Sequence, residues 1–335
     1  MKILFIGGTG NISAAVSRQV VEEGHELFLI NRGQRSGSIP GTTSLIADIR
    51  DEKSMVQVLG DHRFDCVANF IAFTPEDVDR DVRLFQGKCG QYIFISSASA
   101  YQKPPGHPVI SESTPLKNSF WEYSNKKILS ELRLQQVYRE QNFPMTIIRP
   151  SLTYETVIPA AIGSWHDFTL IDRIRTGREI IVHGDGTSLW TITHSEDFAR
   201  GMVGLIGHQQ AIGEAFHITS DEILTWNQIY EAMAEAAGVT ARMVHIPSDF
   251  IARLVPALTG PLLGDKAHSV IFDNSKIKRF VPGFVATIPF KVGIKRTVAW
   301  FDADDSRKTI VEATNQTMDR ILSAYLPAFQ KLALV

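Results

Sequence analysis

The chain has 335 residues, of which 44% are hydrophobic and 21% charged, and its formal net charge at pH 7 is −2. Such a chain can bury a sizeable core in one large domain or two modest ones, and it lacks the overall basic charge that attracts nucleic acid. No apolar run approaches the roughly 20 residues of a membrane span, and the N-terminus lacks a signal-peptide layout. The two cysteines and the lack of an H-x-x-x-H pattern argue against a metal site. We therefore expect a cytoplasmic protein.

The first thirteen residues join a strand to a helix through a glycine turn. The apolar run Lys2–Ile6 leads into Gly7-Gly8-Thr9-Gly10, and the helical segment Ile12–Glu23 follows. This arrangement directs a helix N-terminus at a phosphate. The first glycine permits the tight turn, and the last leaves room for a pyrophosphate. The third small position of the pattern is Ser13 instead of glycine. The segment predicts a dinucleotide site.

The chain as far as Pro150 alternates short apolar runs with helical periods, which is the pattern of a parallel sheet with crossover helices. Further strands are predicted at Glu26–Asn31, Thr43–Ala47, Cys66–Phe70, Gln91–Ser96 and Met145–Arg149. Further helices are predicted at Lys53–Leu59, Val78–Phe85 and Asn125–Gln141. Asp51 and Thr74 stand where helix caps are expected.

After Pro150 the rhythm becomes irregular. Predicted helices are Phe168–Thr176, Glu196–Gly207, Trp226–Ala237 and most of the tail after Asp302, interrupted at Pro327; predicted strands are Glu179–His183 and Ala215–Thr219. The predicted fold class is α/β, a Rossmann-type doubly wound parallel sheet with a smaller, interleaved C-terminal substrate domain. We assign residues 1–155 plus about 189–220 to the dinucleotide-binding domain and about 156–188 plus 221–335 to the substrate domain.

Ser97, Tyr123 and Lys127 form a second group of interest. Ser97 follows a predicted strand, at the edge of the sheet where ligands bind, and Tyr123 and Lys127 share one face of a helix. An ammonium about 4 Å from the phenol would contribute about 4 kcal/mol at an effective dielectric near 20. That equals about three pKa units and would bring Tyr123 near the working pH. Each residue alone is also typical of a turn serine or a solvated helix pair; beside the glycine turn they predict acid–base chemistry.

These motifs, together with Asp48-Ile49, Ser96-Ser97 and Arg149-Pro150, resemble the extended short-chain dehydrogenase/reductase family, in its NAD-dependent epimerase/dehydratase branch. The similarity in order and spacing covers roughly residues 1–220, with a weaker echo at Phe272–Lys276. The resemblance implies an oxidoreductase or isomerase that transfers a hydride at a carbinol or carbonyl carbon of a sugar-like substrate. Tyr123 would be the acid/base, Lys127 its partner and Ser97 the third member.

The resemblance also implies which residues meet the cofactor. These are Gly7, Gly8, Thr9, Gly10, Asn11 and Ile12 at the pyrophosphate, Asp48 and Ile49 at the adenine, and Ala72, Ser96, Tyr123, Lys127, Pro150 and Ser151 towards the ribose and nicotinamide.

The end of the second predicted strand bears on the choice of cofactor. NAD-binding proteins of this type place an acidic residue there to hold the ribose 2′-hydroxyl, whereas this chain reads Asn31-Arg32-Gly33-Gln34-Arg35. Guanidinium groups suit a 2′-phosphate. The arginines could equally be exposed loop charges, so we favour NADP and keep NAD open.

The substrate side departs from the family pattern. Trp190 stands where sugar-nucleotide epimerases carry an arginine that grips a diphosphate, and each lost contact of that kind costs about 1.5–3 kcal/mol. A nucleotide-diphosphate sugar is therefore less expected than the resemblance implies. The residues expected near substrate are Ser99, Trp165, His166 and Trp190. We expect His194 to be a structural residue at a strand end.

An alternative is a cofactor-binding regulatory module or an RNA-binding module, because the chain also resembles a subgroup that includes chloroplast stem-loop-binding proteins. Local basic clusters at Lys276–Arg279 and Lys291–Arg296 would support it, although such clusters are usually solvated faces. The near-neutral charge and the intact serine, tyrosine and lysine favour the enzyme, so nucleic acid is not expected as a partner. The resemblance further implies a homodimer formed through the helices at Val78–Phe85 and Asn125–Gln141.

Overall fold

The computed structural model describes residues 1–33 and 39–332. The strands, in chain order, are β1 (Lys2–Ile6), β2 (Glu26–Asn31), β3 (Thr42–Ile46), β4 (Cys66–Asn69), β5 (Tyr92–Ile95), β6 (Val109–Ile110), β7 (Met145–Pro150), β8 (Leu152–Tyr154), β9 (Glu179–His183), β10 (Leu189–Trp190), β11 (Ile192–His194), β12 (Ala215–Ile218), β13 (Leu224–Thr225), β14 (Arg242–Ile246) and β15 (Ile271–Phe272). Within the described residues, a parallel sheet has the strand order β12-β7-β5-β4-β1-β2-β3. This confirms the Rossmann-type parallel sheet that the sequence predicts.

Helices flank the sheet and form much of the rest of the chain. They are α1 (Ser13–Glu22), α2 (Glu52–Leu59), α3 (Pro75–Phe85), α4 (Glu122–Gln141), α5 (Thr169–Arg175), α6 (Ser195–Leu205), α7 (Trp226–Ala237), α8 (Ser248–Leu254), α9 (Thr259–Pro261, continued by a π-helical turn at Leu262–Lys266), α10 (Ser275–Phe280), α11 (Phe290–Asp302) and α12 (Glu312–Leu332). Asp51 caps α2 through Ser54 N, and Thr74 and Asp77 form a capping box on α3, as the sequence predicts.

The tail after Asp302 is largely helical, as predicted, but one prediction for the C-terminal region was wrong and one helix was missed. Helix α12 continues through Pro327, where the sequence predicted an interruption. A proline removes the donor for the carbonyl four residues earlier, and both Pro327 and Ser323 are exposed, so water can satisfy that carbonyl group. The segment between Asp302 and Glu312 is mostly irregular, and the preceding helix α11 was not predicted.

Hydrophobic cores cover both faces of the sheet. Ile3 and Phe5 of β1 pack with helices α1 and α6 on one face, and Leu4 and Ile6 pack with α2, α3 and α4 on the other. This alternation follows from the two-residue period of a strand and makes β1 apolar throughout.

A third core forms a second lobe. Its buried residues come from the segments 152–182, 190–192 and 226–322, and it also includes Ala98 and Tyr101 from the loop after β5 and Ile110 from β6. The chain therefore enters this lobe more than once, whereas Ile277 and Phe284 pack with the first lobe. The domain boundaries themselves stay a prediction. Among the described residues, no helix has the length and apolar character needed to cross a membrane.

Candidate active site

The glycine turn after β1 packs tightly against side chains at Gly7 and Gly8 and is open at Gly10. Gly7 has φ +82°, and a Cβ atom there would lie 2.7 Å from Ile71 Cγ2. A Cβ atom on Gly8 would lie 2.5 Å from Leu29 Cδ2. At Gly10 the nearest atom to such a Cβ would be Ser13 Oγ, at 3.4 Å. Side chains are thus excluded at the first two glycines by the fold, and at Gly10 the space in front of the turn is free.

Ser13 explains how the turn forms without a third glycine. Its hydroxyl accepts a hydrogen bond from Gly10 N at 2.8 Å and donates one to Gly7 O at 2.7 Å. The main-chain N–H groups of Asn11, Ile12 and Ser13 form no hydrogen bond with any part of the chain that the structure describes. These are the free donors of a helix N-terminus.

Asn11 adds an unpaired acceptor to this turn. Its Nδ2 donates to Thr153 O at 2.8 Å, whereas its buried Oδ1 has no partner among the described residues. The free N–H groups, the open Gly10 and this orphaned oxygen fit the pyrophosphate and ribose of a dinucleotide.

The end of β2 carries no carboxylate within the described residues. Asn31 Oδ1 accepts from Gly33 N at 2.8 Å, and Arg32 is exposed. Asp48 is paired with Arg50 at 2.7 Å, and the hydrogen bonds from Arg50 lower the pKa of Asp48 to about 2. Ile49 is buried. Arg35 lies outside the described residues.

Ser97 and Tyr123 meet beyond the carboxyl end of β5. Ser97 Oγ accepts from Ser99 N at 3.2 Å and lies 2.9 Å from Ser99 Oγ, which accepts from Ser124 at 2.7 Å. The half-buried Tyr123 ring lies 4.9 Å from the ring centroid of Trp121. Burial raises the pKa of Tyr123, the Ser97 hydroxyl opposes this through a hydrogen bond, and the Asp265 carboxylate adds to it.

Lys127 does not act on Tyr123 as the sequence suggested. Its Nζ donates to Ala72 O and Ile95 O, both at 2.7 Å, and lies 5.9 Å from the Tyr123 ring centroid. Burial lowers the pKa of Lys127 to about 7. The expected lowering of the Tyr123 pKa was therefore wrong for this structure, since the ammonium is held by main-chain carbonyl groups and burial of the phenol has the larger effect.

Ser96 belongs to a buried network that the sequence analysis missed. Its hydroxyl donates to Glu131, which also binds Arg149 at 2.6 Å. The Arg149 guanidinium lies 4.8 Å from the Tyr101 ring centroid, and the Tyr101 hydroxyl lies 3.0 Å from His217 Nδ1. The resemblance implies that Ser96 contacts the cofactor, but in this structure its hydroxyl donates its hydrogen bond to the Glu131 carboxylate.

The remaining predicted residues lie in different surroundings. Ser151 Oγ donates to Thr191 O at 3.2 Å just after Pro150, the last residue of β7. Trp165 Nε1 donates to Ala160 O at 3.1 Å, and His166 is exposed. Trp190 is 3% exposed, and its ring centroid lies 5.6 Å from that of Trp226 in the second core; its contact with substrate stays a prediction.

His194 caps α6 by accepting from Glu196 N at 3.3 Å, in agreement with the structural role expected for it. Two buried lysines, Lys103 and Lys266, were not predicted as site residues. Lys266 Nζ lies near Trp121 and Trp165, and Lys103 Nζ lies 5.8 Å from the ring centroid of Trp190. Nothing in the local sequence pattern brings these two lysines together, because they are far apart in the chain and neither belongs to a predicted element.

Comparison with known proteins identifies the family of this chain. Residues 3–219 match the model of the NAD dependent epimerase/dehydratase family. The chloroplast stem-loop binding protein of 41 kDa b from Arabidopsis thaliana is 26% identical over 251 residues, which are 71% of this chain. The chain spans only 63% of that relative's length.

A second relative is 2'-dehydrokanamycin reductase from Streptomyces kanamyceticus, 19% identical over 85% of this chain and 80% of the relative. Among solved structures, UDP-glucose 4-epimerase from Bifidobacterium longum in complex with NAD+ and UDP has a TM-score of 0.72 and 18% identity, covering 92% of this chain and 100% of that one. At this identity the structural likeness bears on the fold alone.

Proposed function

The chain belongs to the NAD dependent epimerase/dehydratase family, and we propose that it is an NAD(P)-dependent enzyme that transfers a hydride at a carbinol or carbonyl carbon of a sugar-like substrate, with Tyr123 as the acid/base. The observation that carries the proposal is the position of Ser97, Tyr123 and Lys127 at the carboxyl ends of β4 and β5. The glycine turn follows β1, the next strand in the sheet. Ligands of such sheets bind at this edge.

A bound nicotinamide would supply the hydride chemistry. Tyr123 would exchange the proton at the substrate oxygen, giving it when a carbonyl is reduced and taking it when a carbinol is oxidised. Because burial raises the pKa of Tyr123, its hydroxyl is protonated at neutral pH and ready to donate to a carbonyl oxygen. Ser97 would hold the same substrate oxygen through its hydroxyl.

Lys127 would hold neighbouring parts of the site in place. Two of its three N–H donors are used by Ala72 O and Ile95 O, which fixes the loop after β4 against the end of β5. When Lys127 is protonated, the remaining donor can bind a ribose hydroxyl. The free N–H groups of Asn11 and Ile12 would hold the pyrophosphate.

The experiment compares Tyr123→Phe with Tyr138→Phe, a change on the same helix away from the proposed site. We expect Tyr123→Phe to lose about 10²- to 10⁴-fold in the rate of NAD(P)H turnover with a panel of sugar and keto-sugar substrates. Both variants should bind NAD(P)H like the wild-type protein in a fluorescence titration. Full turnover in Tyr123→Phe would contradict the catalytic assignment.

We propose NADP as the preferred cofactor, supported by the exposed Arg32 and by Asn31 at the position where an acidic residue would hold a ribose hydroxyl. We also propose a homodimer through α3 and α4, since α4 exposes Leu129 and Leu132 by 45% and 52%.

An RNA-binding function has less support. The relative from Arabidopsis is named for stem-loop binding, but most basic side chains of the two clusters in this chain are paired with acids. Lys276 pairs with Glu214, Lys278 with Asp221, Lys291 and Lys295 with Glu235, and Arg296 with Glu196. Lysines and arginines that are paired with acids offer less attraction to phosphates than free ones do.

A further inference from the structure

Two lysine side chains are buried together beside Tyr123. The side chain of Lys103, in the loop after β5, is 1% exposed, and that of Lys266, at the end of the π-helical turn, is 5% exposed. Asp265 lies between them, with its carboxylate oxygens 4.0 Å from Lys103 Nζ and 3.3 Å from Lys266 Nζ. Two cations thus share one anion.

The Lys103 ammonium is left without a hydrogen bond. No acceptor in residues 1–33 or 39–332 is hydrogen-bonded to its Nζ, and the contact with Asp265 is too long for one. An ammonium that is largely removed from water and lacks hydrogen-bond partners destabilises a fold. Burial accordingly lowers the pKa of Lys103, and the Asp265 carboxylate opposes that effect.

The neighbouring histidines add no positive charge to the cluster. Burial lowers the pKa of His183 to about 4 and also lowers the pKa of His268, so both are neutral at pH 7. With both lysines protonated, the cluster carries one net positive charge. A ligand with one negative charge would balance it.

The cluster lies close to the aromatic side chains that surround Tyr123. Lys266 Nζ is 5.8 Å from the ring centroids of Trp121 and Trp165. The Trp121 ring in turn lies 4.9 Å from that of Tyr123. A side chain at Gly260 would collide with Trp121, so the segment that carries Lys266 is held close to this ring.

We propose that Lys103 and Lys266 form a subsite for a single carboxylate group of the substrate, which makes the substrate a sugar acid or a related hydroxy acid. This inference rests on the proposed function, because it names the substrate class of the same site. Ammonium groups act as point charges, whereas a diphosphate is commonly gripped by guanidinium forks. A diphosphate would also bring more negative charge than the cluster can balance.

The first test uses the protein without ligand. We expect Lys103→Met to keep or raise the melting temperature, because the replacement removes a buried cation that has no hydrogen bond. Lys53→Met, at an exposed lysine, is the matched control and should melt like the wild-type protein. A clear loss of melting temperature in Lys103→Met alone would mean that Lys103 is a structural partner of Asp265 and would overturn the proposal.

The second test measures binding to the NADP-loaded protein by calorimetry at low ionic strength. The probes are D-glucuronate and D-gluconate, with D-glucose as the neutral match and UDP as the diphosphate. We expect at least one acid to bind about tenfold or more tightly than glucose, and Lys103→Met and Lys266→Met to lose that preference while Lys53→Met keeps it. Equal or absent binding of acids and glucose, or tighter binding of UDP than of either acid, would overturn the proposal.

The two proposals can fail separately. Lys103→Met should bind NADPH normally, and Tyr123→Phe should still prefer the acid to glucose. Selective binding of an acid without any hydride transfer would refute the proposed reaction but support the carboxylate subsite. Turnover of neutral sugars alone would support the proposed reaction but refute the subsite.

Discussion

Lys127 binds two main-chain carbonyl groups, and its burial favours the neutral amine by lowering its pKa. The pKa of Lys127 is lowered to about 7 in the folded protein, whereas a lysine in the unfolded chain has a pKa of about 10.4. Between these values the unfolded chain holds a proton that the folded chain has released. The free energy of unfolding contributed by this group therefore rises with pH across that interval.

Replacing Lys127 with Met removes this titration. We expect the unfolding free energy of the wild-type protein to increase relative to that of Lys127→Met by up to about 1.4 kcal/mol per pH unit, between roughly pH 7 and 10. Urea denaturation at several pH values measures the difference, with Lys53→Met as the control that should follow the wild-type protein. A difference independent of pH would show that Lys127 keeps its ordinary pKa.

Arg32 tests the choice between the two nicotinamide cofactors. A charge-assisted contact with a 2′-phosphate contributes about 1.5–3 kcal/mol, so Arg32→Ala should weaken NADPH binding by about 10- to 100-fold and leave NADH binding unchanged. Arg63→Ala, at an exposed arginine elsewhere, should affect neither. Fluorescence titration gives the affinities, and a wild-type protein that binds NADH more tightly than NADPH would refute the preference.

The two neighbouring serines show what the sequence could predict at the residue scale. The motif located Ser96 and Ser97 at the end of a strand, and the structure agrees. Successive side chains of an extended chain point in opposite directions, so Ser96 reaches the buried Glu131 and Ser97 stays near Tyr123. The sequence contained no signal for Glu131, because the partner lies on another element.

Within the glycine turn, Gly7 is required by the fold, whereas Gly10 would be required by the ligand. Gly10→Ala places its Cβ 3.4 Å from Ser13 Oγ, an ordinary contact, so the free energy of unfolding should change little. The added methyl group would stand where the pyrophosphate approaches, so we expect the affinity for NADPH to fall about tenfold or more. Gly283→Ala, where the added atom meets open space, is the control for both measurements.

An unchanged NADPH affinity in Gly10→Ala would place the dinucleotide elsewhere. Gly7→Ala is a poorer test, because its positive φ and the contact with Ile71 would strain the fold itself.

The elements differ in how far their own sequence defines them. Helices α2, α3 and α7 begin at caps that stand in the sequence, and the buried strands of the large sheet are apolar runs. The second lobe depends on pairings between distant segments, such as β9 with β14 and β8 with β11. No local pattern specifies these pairings, and the contact of Lys103 with Lys266 and Asp265 arises from the same kind of long-range packing.

Considering the whole molecule, the proposed site lies where the two lobes meet. Ala98 and Tyr101, just after Ser97, are buried in the core of the second lobe. The Tyr101 hydroxyl lies 3.0 Å from His217 Nδ1, and His217 Nε2 lies 2.8 Å from Asp273 O. The loop that carries Ser97 is therefore fixed by both lobes, and sites between lobes are common in enzymes of this kind.

A crystal structure of the protein with bound NADP and a sugar acid would show whether the cofactor lies at the glycine turn and the substrate at Tyr123. We expect the pyrophosphate oxygens to accept hydrogen bonds from the N–H groups of Asn11 and Ile12. We also expect a Tyr123 hydroxyl within about 2.6–3.2 Å of the reacting substrate oxygen, or joined to it through one water. A dinucleotide bound away from the glycine turn, or a Tyr123 hydroxyl separated from that oxygen by more than one water, would contradict the proposed function.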